Sequence, residues 1–135
     1  MKWLIKRKKA ILLCMAVIFF VLIYLIMLYD TQEILYDFNN CIADNVLSES
    51  MKETELYRFY NRNELYDNLI VSANTKVRRI FVLHNFNKGM MLVNYDCEAF
   101  DAEGNSLYSS SNVYARWYIE KKNGKWLVVD VKEQP

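Results

Sequence analysis

The residue types that could perform acid–base chemistry are the single histidine, His84, and the carboxylates Asp96 and Glu98, with Arg116 further along the chain. A histidine and a carboxylate that meet in a cleft can exchange protons with a substrate. Strict alternation puts His84 on one strand face with Ile80, and puts Asp96 with Glu98 on one face of the next strand, so a dyad is geometrically conceivable. The simpler interpretation is that these side chains are satisfied rim or edge residues. Because the histidine lies in no matching catalytic motif, we predict no catalytic residues and a protein that is not an enzyme.

The three cysteines, Cys14, Cys41 and Cys97, form no C-x-x-C motif, and the single histidine also argues against a zinc site. No Gly-rich phosphate loop or nucleophile elbow is visible, so we predict no cofactor. Cys41 and Cys97 could form a disulfide across a loop of more than fifty residues, worth roughly 3 to 4 kcal/mol if they face an oxidising compartment. The alternative, which the sequence favours, is two unpaired buried thiols.

The charge of the chain is unevenly distributed. Five of the 17 Lys and Arg residues lie in residues 1–29 with no acid, which leaves 12 against all 16 Asp and Glu in residues 30–135, a formal balance of −4. Nucleic-acid binding needs a basic patch matched to phosphates, and residues 30–135 carry only short basic clusters. We therefore predict no nucleic-acid partner.

Residues 10–29 form an apolar segment of 20 residues without charge, Gly or Pro. At about 1.5 Å per helical residue, this length crosses the ~30 Å hydrocarbon core of a bilayer. A cleaved signal peptide would have a shorter apolar stretch followed by small residues, and no such site follows Leu28. The segment therefore predicts an uncleaved transmembrane helix.

The charges that flank this segment predict its orientation. Four basic residues precede it, whereas the next four residues contain no Lys or Arg, so the positive-inside rule keeps the N-terminus in the cytoplasm. These membrane-orienting residues are Lys6, Arg7, Lys8 and Lys9. We predict a single-pass protein of the cell membrane, with a cytoplasmic tail over residues 1–9 and an extracytoplasmic domain over residues 30–135.

The domain begins with helical patterns. Apolar residues at three- and four-residue spacing predict a helix over residues 30–47, which either stands alone or continues the membrane helix, since no Gly or Pro separates them. The capping box of Ser50 and Glu53 starts a second helical stretch. Asn61 repeats that signal, so a short third helix or a kink carries the chain to about Ile70.

Four strands follow, because the hydrophobic period changes from 3.6 to 2. They are predicted over residues 76–86, 90–100, 107–121 and 125–131. Residues 87–89 form the first turn, and the Asn123–Gly124 pair predicts a tight last hairpin. The polar stretch 109–112 predicts a bend or bulge in the third strand. Helices followed by an antiparallel meander predict an α+β layer fold.

Alternation along the third strand predicts which sheet face is drier. Ala115, Trp117 and their apolar neighbours alternate with Tyr114, Arg116 and Tyr118. Tyrosine offers a large rigid area with a polar tip and is favoured at interfaces. We therefore predict that Tyr114, Arg116 and Tyr118 form an exposed surface that binds a protein partner.

Two stretches carry a resemblance to a known superfamily: VNYDCEAFDAEGN at residues 93–105 and RWYIEKKNGKWLVVDVKEQP at residues 116–135. They resemble the cone-shaped superfamily of nuclear transport factor two and the polyketide cyclase SnoaL. The resemblance implies two or three helices packed on a curved four-stranded antiparallel sheet, and enzymes of this fold use Asp and His inside the cone. With a membrane anchor, the chain is similar to the bitopic assembly factors of type IV secretion and conjugation machines, which are protein-interaction modules.

The leading hypothesis is a non-enzymatic, membrane-tethered interaction domain in a secretion- or conjugation-type envelope assembly, whose partners are the membrane and other proteins or further copies of the chain. Two alternatives remain open. The cone mouth could hold a small apolar ligand, or the chain could be a membrane-anchored immunity or inhibitor protein. An apolar cavity of several hundred Å³ would favour a ligand, and a filled cone with exposed aromatic residues would favour a protein partner.

Overall fold

The structure is a computed structural model that describes residues 2–43, 54–56 and 69–133, with side chains from residue 7 and not over residues 40–43. Two helices precede a four-stranded sheet in the described part of the chain. The elements are α1 (Lys2–Asp30), α2 (Gln32–Ala43), β1 (Ser72–His84), β2 (Lys88–Phe100), β3 (Ser106–Lys122) and β4 (Lys125–Glu133). The α+β class and the antiparallel four-stranded sheet agree with the prediction.

Helix α1 contains the whole apolar segment and extends back through the basic tail. By length and composition, the stretch Arg7–Asn39 is long and apolar enough to cross a membrane, and none of its most apolar window is buried inside the protein. Straight-chain and branched apolar residues without Gly or Pro favour an unbroken helix. The sequence therefore places one candidate membrane anchor at the N-terminus of the described chain.

A single residue, Thr31, separates α1 from α2. Its hydroxyl donates a hydrogen bond to the carbonyl oxygen of Met27 at 2.9 Å, one turn earlier. A threonine that bonds back to the preceding turn often bends a helix slightly. Of the predicted helix over residues 30–47, Gln32–Ala43 is helical and follows α1 almost without interruption, whereas residues 44–47 lie outside the described residues.

The predicted second and third outer helices lie mostly outside the described residues. The described parts are not helical: residues 54–56 form a turn, and residues 69–71 lead irregularly into β1, which begins four residues earlier than predicted. Leu56 is 1% exposed, and the amide of Glu55 donates to the carbonyl oxygen of Val128 at 2.9 Å. Within the described residues, α2 is thus the one outer helix that packs on the sheet, where two or three had been expected.

The sheet is a meander with the order β1-β2-β3-β4. The Asn123–Gly124 hairpin is confirmed, and both residues have the positive φ (52° and 80°) that a tight primed turn requires. The first turn instead lies at residues 85–87, because the Asn85 side chain accepts hydrogen bonds from the amides of Asn87 and Lys88. Gly89 is therefore a strand residue, where an added Cβ would collide with Cβ of His84.

Bulges change the strict alternation assumed from the sequence. The predicted bulge in β3 is confirmed at Asn112, which has φ of 59°. Three further bulges were not predicted, including one at Leu107 of β3, between the pairs Ala99–Tyr108 and Phe100–Ser106. One in β1 turns Ile80 outward to 49% exposure, away from the buried face that carries His84. The third, in β4, spaces the core residues Val128 and Val131 three positions apart instead of two.

The core lies between α2 and one face of the sheet, which we call the inner face. Phe38 of α2 and Trp117 of β3 are both fully buried, with ring centroids 5.1 Å apart in an edge-to-face arrangement. Ring edges carry partial positive charge and favour a neighbouring ring face. The predicted drier face of β3 is therefore the face that α2 covers.

Candidate functional site

The opposite face of the sheet, the outer face, carries the predicted interaction residues. Tyr114 is 42% exposed, Arg116 is exposed and Tyr118 is half-buried, whereas Ala115 and Trp117 between them are buried. This difference follows directly from the two-residue period of the strand. The structure therefore brings the three residues together on one surface.

Neighbouring strands supply the surroundings of these residues. Leu92 of β2 and Lys132 of β4 lie on either side of Arg116 in register. The Lys132 Nζ lies 5.2 Å from the ring centroid of Tyr118, within the range of a cation–π contact. The surface thus combines two tyrosine rings with Arg116, residue types that are enriched at protein interfaces, and Leu92 and Lys132 lie beside them.

Asp96 and Glu98 also lie on the outer face, toward its other end. The Asp96 carboxylate accepts a hydrogen bond from the Asn112 amide at 2.8 Å and from the Arg78 guanidinium at 3.1 Å. These hydrogen bonds, the Asn112 amide first, lower the pKa of Asp96 below its ordinary value. Glu98 and Lys76 line an adjacent open, polar depression of about 270 Å³.

His84 does not meet these carboxylates. It is 5% exposed on the inner face, and its register partner, Gly89, is seven residues from Asp96 along β2, roughly 24 Å at strand spacing. Its Nδ1 accepts a hydrogen bond from the amide of Phe86 at 3.1 Å, which leaves Nε2 to donate toward the carbonyl oxygen of Met27 at 3.4 Å. His84 and the two carboxylates thus lie on opposite faces and at opposite ends of the sheet, too far apart to form a dyad.

A second cluster of polar residues joins the end of α1 to the sheet. We call it the helix clasp and define it as Asp30, Arg79, His84, Lys121 and Trp126. The Asp30 carboxylate accepts from the Trp126 indole at 2.7 Å and from the Lys121 ammonium at 3.2 Å. Asp30 is the last residue of α1, so these bonds join the end of that helix to β3 and β4.

Arg79 makes the most direct contact with the helix end. Its guanidinium donates to the carbonyl oxygen of Leu28 and to the hydroxyl of Thr31, each at 2.8 Å. Burial lowers the pKa of Arg79, although a guanidinium stays charged in proteins. Sequence reasoning missed the clasp, because its members lie up to 96 positions apart and form no local pattern.

The cysteines give a mixed outcome. Cys97 is buried, and its Sγ lies 3.2 Å from the Thr75 hydroxyl and 3.4 Å from the Tyr108 hydroxyl, while Cys14 is exposed on α1. The side chain of Cys41 lies outside the described residues, so its pairing with Cys97 stays a prediction. Across the described chain, no group of three His, Cys, Asp or Glu side chains could hold a metal ion.

The predicted membrane-orienting residues lie on the first turns of α1. Arg7, Lys8 and Lys9 are exposed, and the side chain of Lys6 lies outside the described part. Their shared position, directly before the apolar segment, is the position that the positive-inside rule considers.

Comparison with known proteins adds little to this picture. No family model matches the chain, and no curated protein is significantly similar to it. A solved structure of the intermembrane space region of the chloroplast protein ARC6 has 12% sequence identity and a TM-score of 0.43, and the match covers 79% of this chain and 90% of that one. At this TM-score the likeness establishes neither a shared fold nor a shared function.

Proposed function

We propose that this chain is a membrane-anchored, non-enzymatic interaction domain on the extracytoplasmic side, serving in an envelope-spanning assembly of the secretion or conjugation kind. One observation carries the proposal: Tyr114, Arg116 and Tyr118 share an exposed sheet face, while α2 packs on the opposite face. We also propose membership of the cone superfamily, which the order of the elements and the resemblance of residues 93–105 and 116–135 support.

Two observations favour a protein partner over catalysis or a small ligand. His84 lies apart from Asp96 and Glu98, so the acid–base groups do not converge. Among the described residues, the cavity between α2 and β4 measures about 20 Å³, with Leu56 and Trp126 in its lining. A drug-sized ligand needs roughly 300 to 1,000 Å³, whereas this space holds about one water.

The anchor and its orientation are tested with a membrane-impermeant thiol reagent added to intact cells. A cysteine introduced as Asn105→Cys, in the turn farthest from α1, should be labelled, and one introduced as Lys2→Cys should not. Labelling at residue 2 alone would reverse the orientation, and solubility of the chain without detergent would remove the anchor.

The interaction surface is tested by placing a photo-reactive phenylalanine analogue at position 114, 116 or 118 in living cells. The same discrete adduct should form from all three positions, and the control position 105 should not give it. An adduct with twice the mass of the chain would identify a second copy as the partner. Equal adducts from every position, or none, would remove the proposed surface.

A matched pair of variants links the adduct to side-chain chemistry. Tyr114→Ala removes an exposed ring and should reduce adduct yield from position 118 several-fold, while Tyr114→Phe keeps the ring and should retain most of it. A similar yield from both variants would show that the ring makes no contact with the partner.

A further inference from the structure

Four exposed apolar side chains lie at or just beyond the C-terminal end of the edge strand β1. Ile80 is 49% exposed, Phe81 38%, Leu83 56% and Phe86 48%. Contiguous exposed apolar groups mark a surface that contacts another apolar phase. The last of them, Phe86, forms the tip of the β1–β2 turn.

Phe86 occupies an unusual backbone conformation for its type. Its φ is 69°, in the left-handed region that favours Gly and Asn and strains a bulky residue. Its ring packs edge-to-face against His84, with centroids 5.3 Å apart, and much of its surface stays open. An exposed aromatic ring thus stands where the turn itself favours a small residue.

The position of α1 indicates what meets this patch. The ring of Tyr24 stacks on Phe81, with centroids 6.0 Å apart and planes 26° from parallel. Tyr24 lies five residues inside the end of the apolar segment, which is about 7.5 Å along a helix. If α1 spans a bilayer, Phe81 and the strand beyond it therefore lie at the depth of the outer leaflet.

Two exposed lysines lie at the same end of the sheet, where Glu120 pairs with Lys88 and Asp30 pairs with Lys121. The β3–β4 turn lies beside the β1–β2 turn, because the amide of Lys121 donates to the carbonyl oxygen of Asn87 at 2.7 Å. Lys122 and Lys125 are exposed on either side of that turn. Apolar side chains bordered by lysines are typical of surfaces that bind anionic lipid, where each Lys near the surface adds attraction to the headgroups.

We propose that this end of the sheet, the lipid-facing end formed by Leu83, Phe86, Lys122 and Lys125, inserts into the outer leaflet and binds anionic phospholipid. The inference rests on the proposed membrane anchor. Lipid is the favoured occupant because the patch is continuous with α1 through the Tyr24–Phe81 contact, so a protein partner would have to enter the lipid layer to reach it. The two apolar side chains enter the acyl boundary, and the two lysines bind phosphate groups.

The test uses the full chain in nanodiscs of phosphatidylcholine with phosphatidylglycerol. Cys14 and Cys41 are replaced with Ala, the buried Cys97 is kept, and one cysteine is introduced for an environment-sensitive fluorophore. Phe86→Cys samples the lipid-facing end, Asn105→Cys the far turn, and Phe20→Cys the anchor. Lipids with a quencher near the top of the acyl chain should quench the label at position 86 several-fold more than at 105. Lipids with a quencher at the end of the acyl chain should quench the label at position 20, which lies near the middle of the apolar segment.

The label at position 20 distinguishes a failure of the proposed membrane anchor from a failure of the proposed lipid insertion. Quenching at 20 and 86 but not at 105 supports lipid insertion. Quenching at 20, with position 86 no different from 105, overturns insertion and leaves the membrane anchor intact. No quenching at 20 would defeat the anchor itself, and the inference with it.

The lysines are tested by Lys122→Gln with Lys125→Gln, and Lys76→Gln serves as the control at the far end of the sheet. In nanodiscs with phosphatidylglycerol, the double variant should lower quenching at position 86 while the control leaves it unchanged. In phosphatidylcholine alone the double variant should match the parent. Equal quenching of parent and double variant in both lipids would overturn the role of the lysines.

Discussion

Alternate residues of the same strands form the two faces of the sheet, and different interactions stabilise each face. On the inner face Trp117, Val93 and Val82 are fully buried. On the outer face the ion pairs are exposed, as in Arg78–Asp96, where the side chains are 61% and 38% exposed. Packing is worth several kcal/mol per large side chain, whereas an exposed pair is worth ~0 to 1. Substitutions should therefore affect stability on one face and binding on the other.

The largest effect is expected from Trp117→Ala. Removing this fully buried ring should lower the free energy of unfolding by about 3 to 5 kcal/mol, because it leaves a cavity against Phe38. Urea unfolding of the full chain in detergent micelles measures the loss, and Trp117→Phe should recover part of it. A loss below about 1 kcal/mol would contradict the claim that side-chain packing on the inner face stabilises the fold more than the outer face does.

A smaller effect is expected where the sheet holds the end of α1. Arg79→Ala leaves the carbonyl oxygen of Leu28 without its guanidinium partner, which should cost about 1 to 3 kcal/mol. The adjacent Arg78→Ala is the matched control, since its side chain is 61% exposed and its loss should cost less than about 1 kcal/mol. The same unfolding measurement compares them, and equal losses would show that the helix clasp adds no stability.

The outer face should tolerate Tyr114→Ala with little change in stability. Tyr114 is 42% exposed, so the free energy of unfolding should change by about 0.5 kcal/mol or less. The melting temperature followed by circular dichroism is the measurement. A collapse of that temperature would make Tyr114 a structural residue rather than a binding one.

The smallest effect concerns pH. The pKa of Asp96 is lowered in the folded chain, so its ionised form favours folding at neutral pH. As the pH falls below about 4, toward the folded pKa, protonation removes that contribution and stability decreases. Asp96→Asn should flatten this part of the pH profile of urea unfolding. Identical profiles for the two chains would exclude a contribution from this carboxylate.

Features set by local rules could be predicted from the sequence. The Asn123–Gly124 hairpin, the bulge near Asn112 and the outward alternation of Tyr114 all depend on residues close together in the chain. Errors arose where tertiary structure changed a local pattern. The bulge in β1 moved Ile80 off the face that carries His84. The first turn begins at Asn85, because that side chain accepts hydrogen bonds from two backbone amides.

The helix clasp could not be read from the sequence for a different reason. Asp30 ends α1, Arg79 lies in an ordinary strand pattern, and Trp126 belongs to the last strand. Their association depends on how α1 crosses the edge of the sheet, which is decided by packing over 48 to 96 positions of chain. A charged residue directly after the apolar segment was the one available signal.

The single residue between α1 and α2 has a consequence for how a partner is found. A binding module on a flexible linker samples a large volume, which lowers its effective concentration near any one partner. If α1 is the membrane anchor proposed above, a sheet held against it by the helix clasp instead keeps Tyr114 at one distance from the bilayer and turns only as the helix rotates or tilts. A partner in the same bilayer would meet this surface after diffusion in two dimensions, already nearly aligned. Affinity measured between the same two proteins in detergent should therefore underestimate their association in the membrane.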